Sequence, residues 1–376
     1  MRRGSKKNRL LDYWLGIPLL NLAATFRLRR NALPPNIIRI GVMCSPALGD
    51  TLLFSGALQD LRAHFGAAQI IHFCMKPNLA AADLLPGADQ RIVLDLTNPV
   101  AAIRIIRAQK IDIFLDFTSW QRLTAFLTMM SGAKFTAGFR TPTMHRSRGY
   151  DHTTPHRSDR HEVDNFRALL HSLNIAATLP PTVVLEPAPP PLPDEHDIVI
   201  FHLWPSGARS WLREWTEPAP ADPDTRWLEL AHRLATPNTL FVITGAPSDA
   251  PRNDIFVAKL QAANLRARTF ISSDGFKTLA HLLLQAPVVI TVNTGVMHLA
   301  AIVGAPTVSI NGPNSNRRWG PIGPRAIGVE APGQGCGYLH LGFNFDGHPT
   351  DCMQRITVDA VLAAAERVQQ LPRRTN

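Results

Sequence analysis

Three stretches place polar side chains directly behind apolar runs. Asp50 follows the turn sequence Ser45-Pro46-Ala47-Leu48-Gly49, itself behind the run Ile37 to Cys44. A carboxylate at the end of a buried strand is placed to take a proton as a general base, and equally to cap a following helix. Pro205 to Trp215 holds Ser206, Gly207, Arg209 and Arg213 behind the run Ile198 to Leu203. A glycine-containing loop with two arginines suits a diphosphate, because guanidinium supplies bidentate, charge-assisted bonds. Solvated arginines beside a packed tryptophan are the plainer reading. Val288 to Val292 runs into Asn293-Thr294-Gly295-Val296-Met297-His298. Thr294 and Gly295 would offer a hydroxyl and helix-start amides to phosphate, with His298 a further donor in the first turn. The alternative is a simple helix cap with His298 packed in place.

Each stretch needs a strand in front of it and a helix behind. Residues 37–44 are short, apolar and β-branched, which reads as a buried strand, and Asp50 opens a helix to about residue 64. Strands at 69–74, 90–95 and 111–117 alternate with helices near 78–85 and at 98–109. After the proline-rich segment 186–197 the alternation restarts, with strands at 198–203, 239–244, 288–292 and 307–310. Helices are expected at 225–235, 276–285, 296–303 and about 357–371. Such alternation implies parallel sheets with right-handed crossovers, whose ligands bind at the carboxyl ends of the strands. The expected fold is therefore α/β: two Rossmann-like lobes around a cleft, preceded by a membrane-associating helix. Residues 37–185 form the N-terminal lobe, 186–197 the linker and 198–376 the C-terminal lobe with its terminal helix. The polar stretch 140–161 is too long for an ordinary connection and reads as a functional loop. Its Arg146, Arg148, His152, His156 and Arg157 would suit acidic sugars or phosphates.

Length and charge narrow the classes. The 376 residues suit two domains, and 45% hydrophobic with 18% charged residues excludes a disordered chain. The net charge of +10 is concentrated: residues 1–36 carry eight basic side chains against Asp12 alone. A local basic tail points to an anionic surface, and no nucleic-acid module accompanies it. The apolar run 10–26 would extend about 25 Å as a helix, short of the ~30 Å hydrocarbon core. It reads as an interfacial segment, and otherwise as a helix packed on the protein's own surface. Cys44, Cys74, Cys336 and Cys352 include no Cys-x-x-Cys pair; Cys336 and Cys352 could approach each other in a fold, but reduced thiols and a cytoplasmic location are expected, with the basic tail placing the protein peripherally on the inner membrane.

Taken together these stretches resemble the heptosyltransferases of glycosyltransferase family 9, which build the inner core of lipopolysaccharide. The resemblance is carried by Ala47-Leu48-Gly49-Asp50, by Asn293 to Ala301, and by Asn311-Gly312-Pro313 with Arg318-Trp319-Gly320-Pro321. Leu15-Gly16-Ile17-Pro18-Leu19 also looks like a segment that precedes the catalytic lobes in some members. The resemblance implies the GT-B arrangement, an ADP-heptose donor, a lipid-linked saccharide acceptor, inversion at the anomeric carbon, and neither metal nor other cofactor. It implies Asp50 as the base and Ser206, Gly207, Arg213, Asn293, Thr294, Gly295 and His298 as donor-binding residues. Two positions depart from the family: Asn293 stands where Asp is usual, and Arg213 where Lys is usual. Asn keeps hydrogen bonding without the charge, which keeps a non-catalytic nucleotide-sugar or lipid-saccharide binding protein in view as the alternative. A Rossmann oxidoreductase is disfavoured by the missing Gly-x-Gly-x-x-Gly fingerprint. Asp222-Pro223-Asp224 lies in a proline-rich loop and is set aside as a metal site.

Overall fold

The computed structural model describes residue 14 and residues 16–25, 29–44, 47–192, 197–207, 209–340 and 345–372. The tail residues 1–13, Ser45-Pro46 of the first motif and residues 193–196 of the linker lie outside the described residues. The chain divides between Val184 and Leu185 into two units, each built on a parallel six-stranded sheet.

In the first unit α1 (Gly16–Thr25) precedes β1 (Arg39–Met43), α2 (Leu48–His64), β2 (Gln69–Met75), α3 (Leu79–Ala82) and β3 (Gln90–Leu94). Then come α4 (Pro99–Ala108), β4 (Ile113–Asp116), α5 (Arg122–Met130), β5 (Phe135–Arg140), β6 (His152–Pro155) and α6 (Glu162–His171). The sheet order is β3-β2-β1-β4-β5-β6, so the winding reverses between β1 and β4. Met43 lies opposite both Phe73 and Asp116, and the Phe117 amide closes the pair on the Met43 carbonyl at 2.8 Å. Gly41 is required in β1, because a Cβ there would sit 2.7 Å from Ile111 Cδ1. The stacked pair Phe73 and Phe114, at 5.4 Å, anchors one face of the sheet.

The second unit contains β7 (Asp197–His202), α7 (Thr225–Leu234), β8 (Thr239–Thr244), α8 (Ala250–Ala262), β9 (Ala267–Phe270) and α9 (Lys277–Gln285). It continues with β10 (Val288–Val292), α10 (Gly295–Val303), β11 (Thr307–Asn311), α11 (Asn316–Trp319), β12 (Ala326–Glu330) and α12 (Val358–Gln370). Its order, β12-β11-β10-β7-β8-β9, repeats the first unit's winding, with the reversal between β7 and β10. Phe201, Trp215, Trp227 and Phe241 form an aromatic core against which α12 lays Val361 and Val368. Such continuous apolar strands, covered on both faces, are the signature of a doubly wound parallel sheet.

Several expectations change. The stretch 140–161 is not one loop: it contains a 3₁₀ turn, Arg146–Gly149, and strand β6. Its cations are already engaged, Arg146 with Asp116, His156 with Glu162, Arg157 with Asp159, Arg148 with Asn21 and His152 with Ser172. They therefore do not stand ready for an acidic ligand. Cys336 and Cys352 are joined in a disulfide rather than left as thiols. Gly337, at φ +68°, turns the chain, and the Gly337 and Leu339 amides pin it to the Gly312 and Pro313 carbonyls, bringing the two Cα atoms to 5.7 Å. Cys44 and Cys74 are buried and form no disulfide. Asp197, assigned to the linker, opens β7. Finally, α1 packs on the unit itself: Leu20 is fully buried against Ala125, Met129 and Tyr150, while Trp14 and Leu22 remain exposed. No helix among the described residues is long and apolar enough to cross a membrane.

Candidate functional site

Asp50 sits in the first turn of α2, immediately past the carboxyl end of β1, and is 6% exposed. The N-cap residue is Ala47, in extended backbone, so Asp50 is inside the helix and not its cap. The start of the helix is braced from both sides. Thr51 Oγ1 donates to the Ala47 carbonyl at 3.0 Å and accepts from Asn78 Nδ2 at 2.8 Å, and Asn78 in turn accepts the Met75 amide at the end of β2. The position is the winding reversal of the first sheet, where open α/β sheets hold ligands.

At the end of neighbouring β4, Asp116 is fully buried and receives Arg146 Nη2 at 2.8 Å, Tyr150 Oη at 2.7 Å and Thr118 Oγ1 at 2.6 Å. Gly138, opposite Asp116 on β5, makes room for the ring: a Cβ there would stand 2.5 Å from Tyr150 Cζ. Burial pushes the Tyr150 hydroxyl well above its usual pKa, so it donates as a neutral phenol. A charge this deep is held because both carboxylate oxygens of Asp116 are hydrogen-bonded.

The seven donor-site candidates fall on two loops of the second unit. Ser206, Gly207 and Arg213 follow β7, and Asn293, Thr294, Gly295 and His298 follow β10. β7 and β10 are parallel neighbours, with His202 opposite Thr291, so both loops leave the same edge at the sheet's winding reversal. Ser206 and Gly207 are exposed, Gly207 at φ +94°, and the Arg213 guanidinium donates to the Ser206 carbonyl, closing the loop on itself. Thr294 is the N-cap of α10 and accepts the Met297 amide. The amides of Gly295 and Val296 precede the helix's own carbonyl ladder and point out of its start, a ready anion seat. His298 is packed at 4% exposure. Thus the cap reading holds for Thr294 without removing the amides that the phosphate reading needs.

Asn293 is 8% exposed, and its Nδ2 donates to Asn311 Oδ1 at 3.0 Å and to the Trp319 carbonyl at 2.9 Å. Asn311 Oδ1 also accepts Ser309 Oγ, and Asn311 Nδ2 donates to Asn316, whose own amide group continues to the Gly328 carbonyl. The relay crosses the ends of β10, β11 and β12. A carboxylate at 293 would face the Trp319 carbonyl with no proton to give, so this surrounding selects an amide. Sequence reading did not find the relay: Asn293, Asn311 and Trp319 stand in the motifs named above, but nothing in their spacing shows that they are bonded together, and Ser309, Asn316 and Gly328 lie outside those motifs. It also passed over His202, the last residue of β7, which burial lowers to a pKa of about 4 and whose Nδ1 pairs with Thr244 Oγ1 at 3.0 Å. Asp222 and Asp224 both bind Lys259 Nζ at 2.7 Å, so the Asp-x-Asp pair already holds a cation of its own chain.

Residues 218–337 match the sequence model of glycosyltransferase family 9 (heptosyltransferase). No curated protein matches the chain by sequence. Among solved structures, a family 9 glycosyl transferase from Veillonella parvula is 19% identical, with a TM-score of 0.73 over 90% of this chain and 99% of that one. The E. coli ADP-heptose LPS heptosyltransferase II is 18% identical, with a TM-score of 0.71 over 88% and 98%. An E. coli heptosyltransferase with ADP is 17% identical, with a TM-score of 0.66 over 88% and 100%. At these identities the structures establish the shared fold, and the sequence match establishes a family 9 domain in the second unit.

Proposed function

We propose, on the premise that the chain carries a family 9 glycosyltransferase domain, that it moves a sugar, heptose from ADP-heptose, onto a lipopolysaccharide core or related lipid-linked saccharide. The observation that carries this reading is the meeting of both donor loops at the carboxyl ends of β7 and β10. The Asp50 carboxylate takes the proton of the acceptor hydroxyl as that oxygen forms its bond to the anomeric carbon. The bond from that carbon to the diphosphate breaks from the opposite face, with inversion, and its electron pair leaves on the diphosphate oxygen. Arg213 and the α10 amides receive the developing charge without needing a metal ion. Asn293 is the residue that favours a non-catalytic binding protein; its bonds within the amide relay support a structural reason for the amide instead.

Asp50→Asn tests the assignment. Loss of a general base is expected to slow transfer about 10²–10⁴-fold while the thermal midpoint stays put. Near-normal release of ADP by the variant would remove Asp50 from this role.

The enzyme is further proposed to work in the cytoplasm at the anionic inner-membrane surface. The basic tail and the exposed Trp14 and Leu22 of the α1 segment support that location. Removing residues 1–13 should weaken co-sedimentation with anionic liposomes and spare the donor KM. Equal sedimentation would count against a membrane role for the tail.

A further inference from the structure

The segment between β4 and α5 carries two polar groups that the reaction scheme does not use. Trp120 Nε1 and Gln121 Oε1 are shielded from solvent, and neither has a hydrogen-bonding partner. Gln121 occupies the N-cap place of α5, yet its side chain makes no capping bond. Leaving a buried donor or acceptor unmade costs about 1–3 kcal/mol each, so two consecutive instances call for a cause. Their place is specific: β4 pairs with β1, and the segments leaving both strands emerge at the winding reversal, one carrying Asp50 and the other Trp120 and Gln121.

The pair has a chemical signature. Indole N–H only donates, and the Gln carbonyl oxygen only accepts. A hydroxyl both accepts and donates, so the hydroxyls of a sugar ring complete both groups, whereas a fully ionised phosphate completes only the indole. Asp116 and Arg146 are paired with each other, the cations of 152–157 are engaged, and Arg122, the next residue, is buried in the first turn of α5. Both residues are only half-buried, so the shielded atoms lie just under the surface. The flat indole also offers an apolar face to the C–H side of a sugar ring.

We propose that Trp120 and Gln121 form the subsite for a neutral, hydroxylated ring of the acceptor saccharide, on the same sheet edge as Asp50. This rests on the glycosyltransferase reading above. The subsite recognises hydroxyls rather than the acidic groups that the 140–161 sequence suggested.

The test uses the full chain with ADP-heptose and a delipidated lipopolysaccharide core oligosaccharide. Trp120→Phe keeps the ring without the N–H, and Gln121→Met keeps the shape without the amide. Each should raise the acceptor KM about tenfold, with the donor KM unchanged and the thermal midpoint equal or higher, since an unmade buried bond is removed. Gln121→Glu, which still accepts, should restore the acceptor KM to within about threefold. An unchanged acceptor KM in both Trp120→Phe and Gln121→Met overturns the subsite. If the unaltered protein turns over no nucleotide sugar, the glycosyltransferase reading fails instead. Saturation-transfer NMR with the same oligosaccharide then decides the subsite without turnover: signal lost in both variants upholds it, and signal retained overturns it.

Discussion

The ends of β4 and β10 occupy the same place in two sheets of identical strand order, yet they solve burial differently. At β4 a full charge, Asp116, is held by Arg146, Tyr150 and Thr118. At β10 a neutral amide, Asn293, is held by Asn311 and a carbonyl. The first arrangement uses its cation inside the unit to hold Asp116; the second leaves the helix-start amides of α10 facing outward for an anion. Winding decides where side chains gather, and residue type decides what they can hold.

The largest effect expected from breaking this contrast is at the charged end. Arg146→Met strands Asp116 and should destabilise the first unit by about 3–5 kcal/mol, read from denaturant midpoints. A loss under about 1 kcal/mol would mean that Tyr150 and Thr118 suffice.

Acid should weaken both units through one buried histidine each. Burial, with Arg91 nearby, lowers His72 to a pKa of about 3, and burial lowers His202 to about 4. Both folded values lie below the unfolded value near 6.5, so protonation favours the unfolded chain. The stability is present above about pH 6.5 and falls as pH drops toward 4 for His202 and toward 3 for His72. Each should account for about 2 kcal/mol lost between pH 7 and pH 5. His72→Leu should flatten the pH dependence of the first unit alone; an unaltered slope would show that the ring is not held neutral.

The smallest effect belongs to the amide end. Asn293→Asp should lower the stability of the second unit by about 1–2 kcal/mol, seen as a lower thermal midpoint. An equal or higher midpoint would show that the relay tolerates a carboxylate.

What could be read beforehand follows from the length of each signal. Strands such as β2 and β10 are dense apolar runs interrupted inside only by His72 and Thr291, and so are visible without any partner. β5, β6, β9 and β12 were not recognised, because Thr136, Gly138, His152, Arg268 and Gly328 interrupt their apolar runs and mask the strand. α8 has Pro251 as its second residue and its charged residues scattered around the helix, so its apolar stripe is faint. Motif positions such as Asp50 and Thr294 were legible because chemistry and backbone turn coincide there. Arg146 was read as a cation for acidic sugars or phosphates, since its partner Asp116 lies 30 residues away and nothing local announces burial. Trp120 and Gln121 went unremarked for the related reason that an unmade bond leaves no trace in residue order.

Leu20 carries a practical consequence for anyone preparing this protein. Because it plugs the space beside Tyr150 and Met129, shortening the chain to residue 37 would open a greasy hollow next to the ring that steadies Asp116. Insolubility after such trimming would then report damage to the first unit rather than the loss of a lipid tether, and a cut before Gly16 would avoid confusing the two.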